Sequence, residues 1–189
     1  LPIFLVGHSM GCRVVIEAAR RAPDRTAGVV LVDGSQFTKA TLDLVGPSVA
    51  AGNYPTLVAG MFGQMFTTKS DPALRQAILD RSAAFKRAVG EKMTLDSIRY
   101  DTTVLVDALR NLGKPLLVIQ STYTNEKRER LPVSKGQDTP YFRMLRAAVP
   151  AVAIEIVEHT GHFTQIDAPS ETNALLARFA ERCSQQGLQ

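Results

Sequence analysis

The chain has 189 residues, 45% hydrophobic and 21% charged, a balance that suits one folded domain carrying an insertion and excludes a disordered, collagen-like or disulfide-built chain. Its 22 basic and 18 acidic residues leave a net charge of +4, too small and too dispersed for a nucleic-acid surface, and aromatics for base stacking are sparse at 6% with no Trp. No apolar run approaches the ~18 residues of a membrane span and no secretory signal is visible, so the expectation is no nucleic-acid or membrane partner and a cytoplasmic location.

The apolar run 1–6, ending at Gly7, predicts a strand buried on both faces, as in a parallel sheet. A helix follows over 10–22, with Val14, Val15, Ala18, Ala19 and Ala22 on its apolar side and Arg13, Glu17, Arg20 and Arg21 on its polar side. Glu17 is four residues from both Arg13 and Arg21, a spacing that predicts pairing on a solvent face. Residues 28–32 predict a second buried strand, ending at Asp33. Residues 36–111 show no convincing strand; helical stretches are broken by Gly-Pro, Asn-Tyr-Pro and Asp-Pro steps, and Asp71-Pro72 is a helix start. Within this block Met61, Phe62, Met65 and Phe66 form an apolar stripe that suits ordinary core packing or a lid facing an apolar substrate. Strands are then expected at 115–119 and 152–157, and helices at 141–149 and 171–182. The charged run 126–130 reads as a solvated loop or helix start, because its signs nearly cancel. Strands alternating with helices predict an α/β protein with a mostly parallel sheet, a discontinuous core of residues 1–35 and 112–189, and a helical cap inserted at 36–111. Cys12 and Cys183 read as reduced thiols, since their spacing suggests neither a bridge nor a metal site.

Gly7-His8-Ser9-Met10-Gly11 matches G-x-S-x-G between a strand and a helix, the context in which a sharp turn raises a Ser hydroxyl clear of the sheet. The residues two before and two after the Ser are expected to crowd each other, which glycine relieves. At the start of a helix, the Met10 N–H is a candidate oxyanion donor. A Ser nucleophile needs a base. His8 adjoins Ser9 and is expected to point away from it. His159 and His162 follow the last strand, at the same end of the sheet as Ser9, and His162, aimed by Gly161, is preferred. Asp33 ends the second strand and is the preferred acid partner for the base, with a structural turn acid as its other reading. Glu126 lies beyond the third strand, and Asp101 and Asp107 in the insertion are poorer choices.

On these residues the chain resembles the α/β-hydrolase superfamily: the Gly7-His8-Ser9-Met10-Gly11 elbow after a strand, the strand ending in Asp33, the helical insertion, the strand at 115–119 and the Gly161-His162-Phe163 loop. The resemblance implies Ser9 as nucleophile and His162 as base in acyl transfer, with no metal or organic cofactor and a small ester-like molecule as substrate. Most members carry the acid after the strand matching 115–119, in a pattern like G-x-x-D. Here Gln120 to Glu126 has neither the Gly nor the Asp. Some members carry it at the position matching Asp33, which leaves Asp33 preferred and Glu126 the alternative. The family's elbow strand is its fifth. The chain therefore resembles the C-terminal part of that fold, lacking roughly 80–100 residues that would hold four strands and a second oxyanion N–H. Two functional expectations follow: a serine esterase, or a truncated, non-catalytic module. The apolar strand at 1–6 would then offer an open edge for self-association.

Overall fold

Four apolar runs pair side by side, the last three each beginning where the chain returns from a helix. The computed structural model describes residues 1–125 and 127–186. The strands β1 (Ile3–His8), β2 (Thr26–Val32) and β3 (Leu116–Gln120) precede two short strands, β4 (Thr122–Thr124) and β5 (Arg130–Pro132), and β6 (Ala153–Ile156) comes last. β1, β2, β3 and β6 form one parallel sheet in that order, and β4 and β5 form a separate antiparallel hairpin. The helices in chain order are α1 (Gly11–Arg21), α2 (Lys39–Ala50), α3 (Tyr54–Gly63), α4 (Pro72–Ala84), α5 (Arg87–Thr103), α6 (Leu105–Arg110), α7 (Pro140–Ala148), α8 (Thr164–Asp167) and α9 (Pro169–Gln186).

Alternation along the central strands builds a layer on each side, because successive side chains point to opposite faces. Val29, Leu31, Leu116 and Val118 pack with Ile16 and Ala19 of α1, Leu105 and Leu109 of α6, and Phe142 and Leu145 of α7. Val30, Val32, Leu117 and Ile119 face the other way, onto Leu175 and Phe179 of α9. Helices on both faces are what an all-parallel sheet requires, and they account for the continuous apolar runs in the sequence. Helices α2 and α5 carry a smaller core of their own, Val45, Val49 and Ile98, with Tyr54 and Leu57 of α3 against it. The α4 start is as expected: Asp71 accepts the Ala73 N–H at 2.8 Å, and Pro72 follows it.

Several local expectations are corrected. Arg13 does not pair with Glu17 on a solvent face; it is buried and bonds Asp101 of α5 through Nε at 2.8 Å, while Glu17 pairs with Arg20 and Arg21. The helix turns its Arg13 face under α5, and a charge placed there must find a carboxylate. Val14, expected on the apolar side of α1, is 59% exposed. The Met61 to Phe66 stripe is divided: α3 stops at Gly63, Met61 is exposed, and Met65 and Phe66 lie in the loop beyond. The charged run is no solvated loop at its end, because Arg130 opens β5 and turns inward. Glu126 lies outside the described residues.

Candidate active site

All four long strands are parallel, so their C-terminal ends share one edge of the sheet, and the loops leaving β1, β2, β3 and β6 meet there. The turn after β1 bends within two residues. Ser9 has φ 57°, in the left-handed region, and its N–H donates to the Val32 carbonyl at 3.0 Å, which fixes the bend against β2. A Cβ on Gly7 would meet the Gly11 carbonyl oxygen at 2.4 Å and Val15 Cγ2 at 2.7 Å, so position 7 admits only glycine. The expected mutual crowding holds on one side alone. A Cβ on Gly11 would meet nothing within 4 Å, because Gly11 contributes its backbone to the contact and its own Cβ direction is open.

Asp33 also has a positive φ, 43°, and is 1% exposed. Its Oδ1 accepts the Ser121 N–H at 2.9 Å and the Thr122 N–H at 2.8 Å, tying the end of β2 to the end of β3. Its Oδ2 accepts the Thr122 hydroxyl at 2.6 Å and lies 2.6 Å from His162 Nδ1. His162 Nε2 lies 2.8 Å from Ser9 Oγ. The structure thus brings together Ser9, His162 and Asp33 in one line. Asp33 has a structural place too: one carboxylate oxygen holds the β3 turn and the other faces the imidazole. His159, with φ 62°, is exposed and stands outside this line, as do Asp101, bonded to Arg13, and Asp107, exposed on α6.

The loop carrying His162 is pinned at successive backbone groups. Gly161 N–H donates to Asp167 Oδ2 at 2.8 Å, His162 N–H to the Met65 carbonyl at 2.8 Å, and the His162 carbonyl accepts from His8 Nε2 at 2.7 Å. His8 does not engage Ser9; it latches the backbone of His162, a role with no signal in the sequence beyond its place beside the elbow. A Cβ on Gly161 would come within 2.6 Å of the Met65 oxygen, so glycine here allows close approach of the inserted segment. Phe66 stacks on Phe163 with centroids 5.4 Å apart, and Gln64 Oε1 accepts the Arg130 N–H at 2.8 Å. Residues 64–66, between α3 and α4, therefore pack against the loops that carry His162 and Arg130. The Met10 N–H at the start of α1 has no acceptor among the described residues, and no side chain caps that helix.

The electrostatics favour a neutral imidazole beside an ionised carboxylate. Burial pushes His162 down, opposed by the Asp33 bond and helped by the nearby Arg130, and leaves it at about 4. Burial alone would raise Asp33, but the His162 bond, the Arg130 charge and the Thr122 hydroxyl outweigh it and hold the carboxyl below its usual range. An ionised Asp33 has no proton to give, so its short contact requires hydrogen on Nδ1, and the Nε2 lone pair faces the Ser9 hydroxyl. Arg130 is the residue that sequence reasoning missed: it reaches Thr122 Oγ1 at 2.7 Å and Asp33 Oδ2 at 3.3 Å. Among the described residues no group of three or more His, Cys, Asp or Glu side chains is placed to hold a metal ion, Cys12 and Cys183 are free thiols, and no helix is long and apolar enough to cross a membrane.

The alpha/beta hydrolase family matches residues 1–175 of the chain. Among solved structures, the chain is similar to a membrane phospholipase A described as a bacterial virulence factor, with TM-score 0.65 and 19% identity over 97% of this chain and 58% of that one. It is similar to a thermophilic esterase from Thermogutta terrifontis, with TM-score 0.69 and 17% identity over 96% of this chain and 65% of that one. It is also similar to the enol-lactonase from Burkholderia xenovorans LB400, with TM-score 0.69 and 16% identity over 95% of this chain and 66% of that one. The chain spans less than two thirds of the length of each of these three, 58–66%. At such identities the likeness is one of fold. Comparison with curated protein sequences gives no match.

Proposed function

Because this chain belongs to the alpha/beta hydrolase family, we propose that it hydrolyses a carboxylic ester or a related acyl bond through an acyl-enzyme on Ser9. The observation that supports this most is the continuous line Ser9 Oγ, His162 Nε2, His162 Nδ1, Asp33 Oδ2, with contacts of 2.8 Å and 2.6 Å at its two gaps. Ser9 Oγ attacks the substrate carbonyl carbon and gives its proton to His162 Nε2. The carbonyl oxygen becomes an oxyanion facing the Met10 N–H. Collapse expels the alcohol, which takes the proton from Nε2. Water then attacks the acyl group, passes a proton to Nε2, and the second collapse returns that proton to Ser9 Oγ. Asp33 holds the Nδ1–H tautomer and stabilises the imidazolium that forms twice. Phe66 and Phe163 beside the site suit a small to medium apolar acyl or alcohol group.

The test is a fluorophosphonate probe on the folded chain, followed by turnover of short p-nitrophenyl esters. Labelling is expected at Ser9. Ser9→Ala and His162→Ala are each expected to cut kcat by on the order of 10⁴–10⁶, and the double variant by little more, because the members act as a unit. Asp33→Asn is expected to cost ~10⁴. Full esterase activity in Ser9→Ala would end the proposal. A folded chain that never labels would favour the other reading, a hydrolase-like module without catalysis.

A further inference from the structure

Arg130 reaches the site from the β4–β5 hairpin, and its side chain is only 12% exposed. Its Nη1 is 2.7 Å from Thr122 Oγ1, 3.3 Å from Asp33 Oδ2 and 3.1 Å from His162 Nδ1. These three contacts cannot all be hydrogen bonds. With Nδ1–H committed to Asp33, Nδ1 has no lone pair left in the ring plane for a guanidinium. Arg130 therefore donates to the Thr122 hydroxyl oxygen and to the carboxylate, and stands against Nδ1 as a bare positive charge.

We propose that Arg130 is a positioning residue of the acyl-transfer site, holding Asp33 Oδ2 in line with the imidazole and opposing, by its charge at Nδ1, the protonation of His162. The inference rests on the function proposed above. Every element packed against His162 bears on this. Asp33 from the end of β2 favours the imidazolium. Arg130 from β5 disfavours it. His8 from β1, its ring 4.6 Å away and itself pushed down by burial, disfavours the imidazolium when charged. Asp167 from α8 is occupied by the Gly161 N–H, and Ser9 offers a hydroxyl. Arg130 is thus the larger of the two positive groups that offset Asp33 among the described residues, ahead of His8. A like charge so close to a buried ring has a large effect, since little water screens it.

The chemical consequence is a base that stays unprotonated in acid and an imidazolium that gives up its proton readily. That favours delivery to the leaving alcohol. The same contact relieves the cost of burying the Asp33 charge, because the carboxylate has a cation as well as hydrogen bonds.

The test follows His162 directly by NMR titration of its ring in the full chain, alongside the acid limb of kcat/KM for p-nitrophenyl acetate. In the wild type both midpoints are expected at about 4. Arg130→Met is expected to move both upward by about one pH unit or more. Arg130→Lys keeps the charge without the fork and is expected to leave the midpoints nearer the wild type. Should Arg130→Met fail to fold, Arg130→Gln removes the charge while keeping a donor to Oδ2, and carries the same expected shift. Unchanged midpoints in a folded, uncharged variant overturn the proposal. The titration needs no turnover. A shifted His162 in a chain whose Ser9→Ala variant is as active as wild type sustains the charge effect and removes the hydrolase reading. Esterase activity dependent on Ser9, with no shift, removes Arg130 alone.

Discussion

Burial and the Arg130 charge displace His162 from 6.5 to about 4, and that displacement couples the site to the stability of the fold. Above 6.5 both folded and unfolded chains hold a neutral imidazole, and the stability is fully present. As the pH falls from 6.5 toward 4, the unfolded chain takes up a proton that the folded chain refuses, so stability is lost through that window. Asp33, also held low, extends the loss below its ordinary value of 3.8, because there the unfolded carboxyl protonates first. Urea midpoints are therefore expected to fall steadily between pH 7 and 4.5, and His162→Gln to flatten the dependence. Parallel curves for the two proteins would remove His162 as the cause. Strain adds to the account: Ser9 and Asp33 both hold positive φ without being glycine, and such residues persist where surrounding bonds over-determine them. Those bonds run to the Val32 carbonyl for Ser9 and to the two β3-turn amides for Asp33.

Between elements, the helices that link β2 to β3 are tied to the sheet layers by the buried pair of Arg13 on α1 and Asp101 on α5. Asp101 also accepts the Phe37 N–H at 2.7 Å, and its side chain is 0% exposed. Burial raises its pKa, against the lowering effect of Arg13. Arg13→Ala leaves that carboxylate without its cation and is expected to destabilise the chain by roughly 3–5 kcal/mol, whereas Arg13→Met with Asp101→Leu is expected to cost much less. Urea unfolding of the three proteins checks this; equal losses in single and double variants would show that packing, not charge, holds the helices. The same pair shows what the sequence can convey. Ser9 was legible because G-x-S-x-G has a mechanical meaning between a strand and a helix, and Asp33 and His162 because both follow strands of one parallel sheet. Arg13 and Arg130 were not. Local spacing put Arg13 opposite Glu17, and five consecutive charged residues put Arg130 in water. Their true partners lie 88 and 97 positions away and depend on how α5 and the β4–β5 hairpin fold over the sheet. That hairpin has strands of only three residues, too short for alternation to reveal.

For the whole molecule, β1 is the outermost strand of the sheet, with Ile3 at 55% and Val6 at 49% exposure along it and Val14 of α1 close by in sequence at 59%. Among the described residues no strand pairs with its outer edge, no Lys lies along it, and the one register shift against β2 is confined to its start, between Ile3 and Phe4. The 189-residue chain is expected to self-associate there, and Val6→Lys to yield a monomer with the same fold; sedimentation velocity of both separates this from a wild type already monomeric. The order of the strands matters for time as well as for association. β1, β2, β3 and β6 are neighbours in the order in which they occur, so pairing can grow along the sheet one crossover at a time. The site cannot. Ser9 and His162 are 153 residues apart and Asp33 and His162 129, and the His162 amide is fixed only when the Met65 carbonyl arrives from the insertion. Contacts across such spans carry the greatest closing entropy and form late. Under the function proposed above, reactivity at Ser9 is expected to return during refolding no earlier than the sheet, so on that reading the chain becomes a protein no later than it becomes a reagent.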